Sequence, residues 1–253
     1  MPDEIEAGGV RVPVRVADAS GRPRSGGRKP SRSARATLGP DGLRIRLPPG
    51  GDPAERQRQV THLLQWAQRA VSRDPDRFRP RLPRSYRDGG TLAAAGRRFT
   101  LDVSTADRRT GSARVVGNRI RLVLPAAADL ATHQHHAARL VSGALAREFA
   151  GHLSALCDRL HHQHFSDVAA PERVSFRFTT RRWGSCSARG RLSISTRLLL
   201  APARMLEYVC VHELAHLVHL DHSPLFWERV EHALPDFRDC EHWLQRHAFD
   251  CQY

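Results

Sequence analysis

Four histidines and one glutamate lie close together between residues 209 and 227, where the sequence reads VCVHELAHLVHLDHSPLFW. His212, Glu213 and His216 fit the pattern H-E-x-x-H, in which two imidazoles one helical turn apart hold a metal ion beside the glutamate. Most neighbouring residues are apolar, as expected of a helix buried in a core. Because ionisable groups are costly to bury unless they are paired or coordinated, this segment predicts a metal site.

A third protein ligand is expected, because catalytic zinc usually takes three and keeps its fourth position open. His219 would share a helical face with His212 but lie about 10 Å further along the axis, too far to bind the same ion. The Ser223-Pro224 pair signals the start of a new helix, so a chain that turns back there can bring His222 over the pair. We expect His219 to lie near the ligands or the substrate, or to be a solvated histidine at the helix end. The predicted metal ligands are His212, His216 and His222.

Hydrolysis is the chemistry that these residues predict. A bound zinc ion lowers the pKa of water from about 15.7 to near 7. Glu213 lies close to both imidazoles around the helix, so we expect it to take the proton of that water as the general base and pass it to the leaving amine. The transition-state oxyanion needs a further hydrogen-bond donor. The candidates for that donor are Tyr208, His219 and Arg182.

Several other residues are candidates for contacting a substrate. Trp183 and the Phe226-Trp227 pair would either line a cleft or pack the core. Residues 192–195 alternate as a strand should, and would either receive an extended peptide at a sheet edge or form an ordinary core strand. Cys186 would cap the metal or act as a nucleophile, although a structural cysteine is the simpler interpretation.

The chain is strongly basic, with a formal net charge of +14 in 253 residues. Nearly all of the positive charge is arginine, since Lys29 is the only lysine. This charge suits nucleic acid or another acidic partner, but arginine is spread along the whole chain, so a bias of composition is the simpler explanation. If nucleic acid is bound, the basic loops at residues 22–35 and 108–114 are the predicted phosphate contacts.

Neither a charged-then-apolar leader nor an apolar run long enough to cross a bilayer is visible in the sequence. We therefore expect a soluble, cytoplasmic protein with no membrane partner. The five cysteines are odd in number and show no C-x-x-C spacing, so the sequence predicts neither a disulfide framework nor a structural zinc site.

The order strand, basic loop, hairpin and helix occurs twice along the chain. The two hairpins end in LRIRLP at residues 43–48 and IRLVLP at residues 120–125, and each is preceded by a Ser-Ala-Arg segment. We interpret this echo as a two-copy internal repeat. The strands that open the copies are predicted at 10–16 and 99–103, and the helices that close them at 54–71 and 131–149.

The predicted domain boundaries follow from this repeat. Residues 1–80 form an N-terminal unit, and residues 81–94 form a proline-containing linker. Residues 95–253 form the second domain, in which 95–150 is the second hairpin and helix and 151–253 is the catalytic part. The fold class is α+β, with helical pattern throughout 131–164 and the metal-site helix beginning near Pro202.

Four motifs occur in order in the second half of the chain: RWGSCS at 182–187, LAP at 200–202, VHELAHL at 211–217 and HSPLFW at 222–227. With these motifs the sequence resembles the YgjP-like metallopeptidase family, which is similar to the SprT/Spartan-like zinc proteases. The resemblance covers roughly residues 95 to 250 and leaves residues 1–90 outside it. Motifs in this order are far more specific than H-E-x-x-H alone.

The resemblance implies a zincin-type fold, with a small sheet over the H-E-x-x-H helix. It also implies one zinc ion, held by three histidines that map onto His212, His216 and His222, and a catalytic glutamate at Glu213. The ligand spacing is also that of the metzincins. A true metzincin is nevertheless rejected, because no methionine follows the site.

The residues and the resemblance together predict a zinc-dependent metallopeptidase that cleaves a protein or peptide substrate. A rival prediction from another class is a nucleic-acid-associated binding module that retains a zinc site. The two can be combined in a protease that is recruited to DNA, as in proteins of the SprT/Spartan type.

Overall fold

The computed structural model describes residues 3–18, 34–39, 42–78, 84–126 and 130–253. The chain divides into two compact units, Met1–Leu82 and Pro83–Tyr253. Among the described residues, the first unit contains one cluster of buried apolar residues and the second contains two.

The first unit is built on a four-stranded sheet. Its strands are β1 (Glu4–Ala7), β2 (Val10–Asp18), β3 (Arg35–Gly39) and β4 (Gly42–Leu47), in the order β1-β2-β4-β3. The central pair β2 and β4 is parallel, and both outer pairs are antiparallel. Apolar residues alternate along the strands, so one face of the sheet is buried.

A long helix, α1 (Pro53–Arg73), packs against this sheet. It begins where predicted, because Asp52 accepts a hydrogen bond from the backbone N–H of Glu55 at 3.1 Å and Pro53 occupies the first turn. A short helix, α2 (Pro75–Phe78), follows. The buried residues of α1 recur at helical spacing, and they are Val60, Ala67 and Val71.

The second unit opens with a sheet of the same strand order. Its strands are β5 (Thr91–Ala94), β6 (Arg97–Ala106), β7 (Ser112–Val116) and β8 (Arg119–Pro125), in the order β5-β6-β8-β7. The central pair β6 and β8 is again parallel, with antiparallel pairs outside it. The helix α3 (Leu130–Glu148) packs on β7 and β8.

Two features of this region differ from the sequence prediction. Residues 91–94, which we assigned to a linker, form β5 and bury Leu92 and Ala94. The sequence does not predict this strand, because a segment of four residues is too short to show a strand period. The helical segment 131–164 is interrupted at Phe149, which separates α3 from α4 (Ala150–His164). Phe149 is buried in the core of the β5–β8 sheet, whereas α4 contributes to the other core of this unit.

A three-stranded sheet belongs to that other core. Its strands are β9 (Arg173–Arg177), β10 (Gly184–Cys186) and β11 (Arg191–Ser195), in the order β10-β11-β9. The alternative that residues 192–195 form an edge strand is therefore wrong, since β11 lies in the centre. The physical reason is that the glycine-containing stretch before it pairs as a strand and covers its edge, so that β10 is the edge strand instead.

The helix α5 (Ala203–Ala215) lies at the centre of this core. It contacts β10 and β11, and α4, α6 (Pro224–Ala233) and α7 (Phe237–His247) also pack on it. Nine of its 13 residues are buried, so the helix is surrounded, as its nearly all-apolar sequence predicts. A 3₁₀ helix at Thr196–Leu200 connects β11 to α5.

Candidate metal centre

The H-E-x-x-H segment lies at the C-terminal end of α5, which ends at Ala215 with His216 as its C-cap. The backbone N–H groups of Val218 and His219 both bond to the carbonyl of Ala215, at 3.1 and 3.0 Å, so the chain leaves the helix in a tight turn. Our expectation that the helix continues through His219 is therefore wrong. The next helix, α6, begins at Pro224 as predicted.

This turn brings three imidazoles together. One ring nitrogen from each of His212, His216 and His222 lies within 4.8 Å of the corresponding atoms of the other two. The Nε2 atoms of His212 and His222 are 3.1 Å apart. His222 is exposed and the other two are half-buried, so the cluster faces solvent on one side.

His216 is held in place by the turn itself. Its Nδ1 lies 2.9 Å from the backbone carbonyl of His219, to which a protonated Nδ1 donates a hydrogen bond. This contact fixes the ring tautomer and leaves Nε2 with a free lone pair, as in many metal-bound histidines. His219 therefore contributes to the centre through its backbone carbonyl, which contacts His216.

An aromatic residue that the sequence offered either for a substrate cleft or for the core packs against all three imidazole rings. Phe226 is fully buried, and its ring centroid lies 4.9, 4.6 and 4.8 Å from those of His212, His216 and His222. Trp227 stacks on His222 with centroids 5.7 Å apart, so it packs against a predicted ligand. The position of these two residues in the sequence indicates that they lie near the ligands, because both follow His222 in the first turn of α6.

Glu213 is buried beside this cluster and lies close to β10. A Cβ atom on Gly184 would lie 2.7 Å from Cγ and 2.8 Å from Cδ of Glu213, so only glycine leaves room for the carboxyl group. Its Oε2 is buried with no hydrogen-bond partner among the described residues. Burial raises the pKa of Glu213 to about 7, while Arg182 and the backbone N–H of Cys186 oppose that rise.

The donor set fits a zinc ion. Burial, followed by the neighbouring His216 and His222, lowers the pKa of His212 to about 3. Burial also lowers the pKa of His216. The neutral imidazole is the form that binds a metal. Three imidazole nitrogens with one open side, next to an unpartnered buried carboxylate oxygen, match the ligands and the vacant position of a catalytic zinc site.

The remaining predicted site residues lie around this centre in different settings. Arg182 is exposed and lines a cleft together with Gly184. Trp183 packs against the core, with the guanidinium carbon of Arg197 at 4.2 Å from its ring centroid. Tyr208 is buried with its ring centroid 6.1 Å from that of His212, and burial raises the pKa of its hydroxyl.

Cys186 does not show the features of a nucleophile. Burial, followed by the nearby Glu213, raises the pKa of its thiol to about 11, so the thiol form is favoured. Its Sγ lies 3.5 Å from the backbone carbonyl of Ser187. Among the described residues, the cluster of converging metal-ligand atoms contains the three histidines and does not include Cys186.

The two predicted basic loops are only partly visible. Most of residues 22–35 lies outside the described residues. In the other loop, Arg108, Arg109 and Arg114 are exposed between and along the strands β6 and β7.

No helix within the described ranges combines the length and the apolar character of a membrane span.

Comparison with known proteins supports the resemblance. The family model described as the YgjP-like metallopeptidase domain matches residues 32–247. The match begins well before residue 95, so the expectation that residues 1–90 lie outside the family is wrong for 32–90. The crystal structure of the metallopeptidase zymogen abylysin from Pyrococcus abyssi is 23% identical and covers 36% of this chain and 89% of that one, with a TM-score of 0.33. No curated protein matches the chain.

The geometry predicts which histidines a metal needs. His222→Ala removes a converging nitrogen, so we expect zinc affinity to fall by more than the roughly 10- to 100-fold that is typical for loss of an outer partner. His219→Ala keeps the backbone carbonyl that orients His216 and should bind zinc within a few-fold of the native chain. Zinc titration monitored by calorimetry measures both. Equal losses in the two variants would contradict the assignment.

Proposed function

Because this chain belongs to the YgjP-like metallopeptidase family, we propose that it hydrolyses peptide bonds with a zinc ion held by His212, His216 and His222. The observation that carries the proposal is the convergence of the three imidazoles, whose ligand atoms lie within 4.8 Å of one another. When bound, zinc supplies a Lewis acid that polarises the scissile carbonyl and lowers the pKa of the attacking water. Side chains of the protein carry out the proton transfers.

Glu213 is the proposed general base. Its Oε2 has no hydrogen-bond partner among the described residues, so this atom is available to accept the proton of the attacking water. Burial raises the pKa of Glu213 to about 7, and a bound cation nearby would favour the carboxylate, the form that accepts a proton. The protonated carboxyl group then delivers the proton to the leaving amine.

The edge strand β10 is the proposed place for the substrate backbone. The carbonyl of Trp183 accepts a hydrogen bond from Ser195 at 2.7 Å, and the N–H of Ser187 donates to Arg191 at 3.0 Å. Because bonding alternates along an antiparallel pair, the backbone groups of Gly184 and Cys186 point away from β11, and the N–H of Cys186 is already directed to the carboxyl group of Glu213. An extended peptide can add to that edge beside Glu213.

Arg182 is the proposed donor to the oxyanion. It is exposed at the cleft and close enough to Glu213 to lower the pKa of that carboxyl group. The other two candidates are less suited. Tyr208 is enclosed in the core, and His219 serves the centre through its carbonyl. A cationic guanidinium stabilises a developing negative charge, provided that it is positioned before the reaction.

We also propose that the chain contains two copies of one structural unit. The two four-stranded sheets share strand order and pairing directions, and each is followed by a helix that packs on it. Together with the echo between residues 43–48 and 120–125, this supports two copies of one unit.

Nucleic-acid binding stays a separate hypothesis, which predicts retention on DNA with a steep dependence on salt.

Glu213→Gln tests the proposed function directly. We expect peptide hydrolysis to fall by about 10²- to 10⁴-fold, because the amide cannot accept the proton, while one zinc ion per chain is retained. The matched control is Glu207→Gln on the same helix, since Glu207 is paired with Arg204 at 2.7 Å. Hydrolysis of a quenched fluorescent peptide and metal analysis measure the two effects. Unchanged hydrolysis by Glu213→Gln would refute the assigned base.

Gly184→Ala tests the contact between β10 and Glu213. The added methyl group overlaps the carboxyl group, so Glu213 must move, and a displacement of about 1 Å can lower the rate about 10²-fold. Gly151→Ala on α4 is the control, because a Cβ there meets nothing within 4 Å. We expect kcat to fall only in the first variant, with zinc bound in both. A fully active Gly184→Ala enzyme would show that the contact has no catalytic role.

A further inference from the structure

A cleft of about 500 Å³ opens along β10, next to the position of Glu213. Its walls come from β10 and from the segment that follows β9. Gly184 lines the cleft and also contacts the carboxyl group of Glu213, so the cleft and the proposed base share one backbone position. The residues of the lining that bear on its chemistry are Arg177, Phe178, Arg181, Arg182 and Ser185.

The arginines of this cleft differ from other arginines of the same unit. Arg191, Arg204 and Arg229 each form an ion pair with a carboxylate. In contrast, within the described parts of the chain, none of the three cleft arginines forms an ion pair with an acidic side chain. All three are exposed, so their charge is directed to the cleft and the surrounding solvent.

An aromatic side chain lies among these charges. Phe178 is 38% exposed, and the guanidinium carbon of Arg139 on α3 lies 5.8 Å from its ring centroid. Arg139 therefore lies beside this ring, the ring of Tyr253 lies 6.3 Å from it, and Arg177, Arg181 and Arg182 line the same cleft. The described residues that line the cleft therefore carry positive charge and no carboxylate, and Glu213 lies beside the cleft close enough for Arg182 to lower its pKa.

We propose that this cleft binds acidic side chains of the substrate next to the scissile bond, which makes the enzyme selective for acidic peptide segments. This inference rests on the proposed peptidase function and adds a substrate class to it. The edge of β10 offers backbone hydrogen bonds to an extended peptide, and the arginines offer charge-assisted hydrogen bonds to its carboxylates. A polypeptide fits both features, whereas nucleic acid would use only the charge.

The size of the effect follows from the exposure of the arginines. An ion pair between exposed side chains contributes about 1.5- to 5-fold in affinity. Two such contacts together should therefore favour an acidic peptide by about 2- to 25-fold over its neutral counterpart. Because the charges face solvent, this preference should decrease as salt is raised.

The test separates binding from hydrolysis. The full chain carrying Glu213→Gln is loaded with zinc, and fluorescence anisotropy measures its affinity for a labelled peptide of alternating alanine and glutamate. The reference peptide has glutamine in place of glutamate. The same measurements follow after the further changes Arg177→Gln and Arg181→Gln, which leave Arg182 intact. The matched control carries Arg159→Gln and Arg189→Gln, which are exposed arginines of the same unit outside the cleft lining.

We expect the acidic peptide to bind about 2- to 25-fold more tightly than the glutamine peptide, and this preference to disappear in the cleft variant but not in the control. Equal affinity for the two peptides, no binding of either, or an equal loss in the control would overturn the proposal. Displacement of the acidic peptide by a single-stranded oligonucleotide at lower concentration than by unlabelled peptide would overturn it in favour of a nucleic-acid site. The zinc content and the turnover of the native chain report separately on the proposed peptidase function.

Discussion

Three imidazoles that point at one another are the constraint on which the rest of this structure depends. Neutral rings whose nitrogens lie within 4.8 Å, two of them 3.1 Å apart, place lone pairs against one another unless protons or a cation come between. Burial disfavours protonation of His212, and a shared cation is the arrangement that we propose for all three imidazoles.

The fold around this cluster can be understood as the means of holding it. α5 provides two of the imidazoles, and it ends at Ala215 so that the chain can turn back and deliver His222. The carbonyl of His219 sets the orientation of His216, and the ring of Phe226 contacts all three imidazoles. On the other side, β10 approaches Glu213 so closely that only glycine fits at position 184.

Whether a structural feature can be predicted from the sequence depends on whether neighbouring residues determine it. The start of α6 at Pro224 and the convergence of the histidines follow from a proline in the first helical turn and from ligand spacing, which act over a few positions. The place of residues 192–195 at the centre of their sheet does not, because a strand's pattern does not reveal how many neighbours it has. The contact of Gly184 with Glu213 joins residues far apart in the chain, and only the folded core brings them together.

X-ray absorption spectroscopy of the full chain loaded with zinc tests the central claim most directly. We expect one zinc ion per chain with three imidazole nitrogens at about 2.0 to 2.1 Å. A chain that binds no zinc, or a zinc ion with a sulfur neighbour at about 2.3 Å, would contradict it.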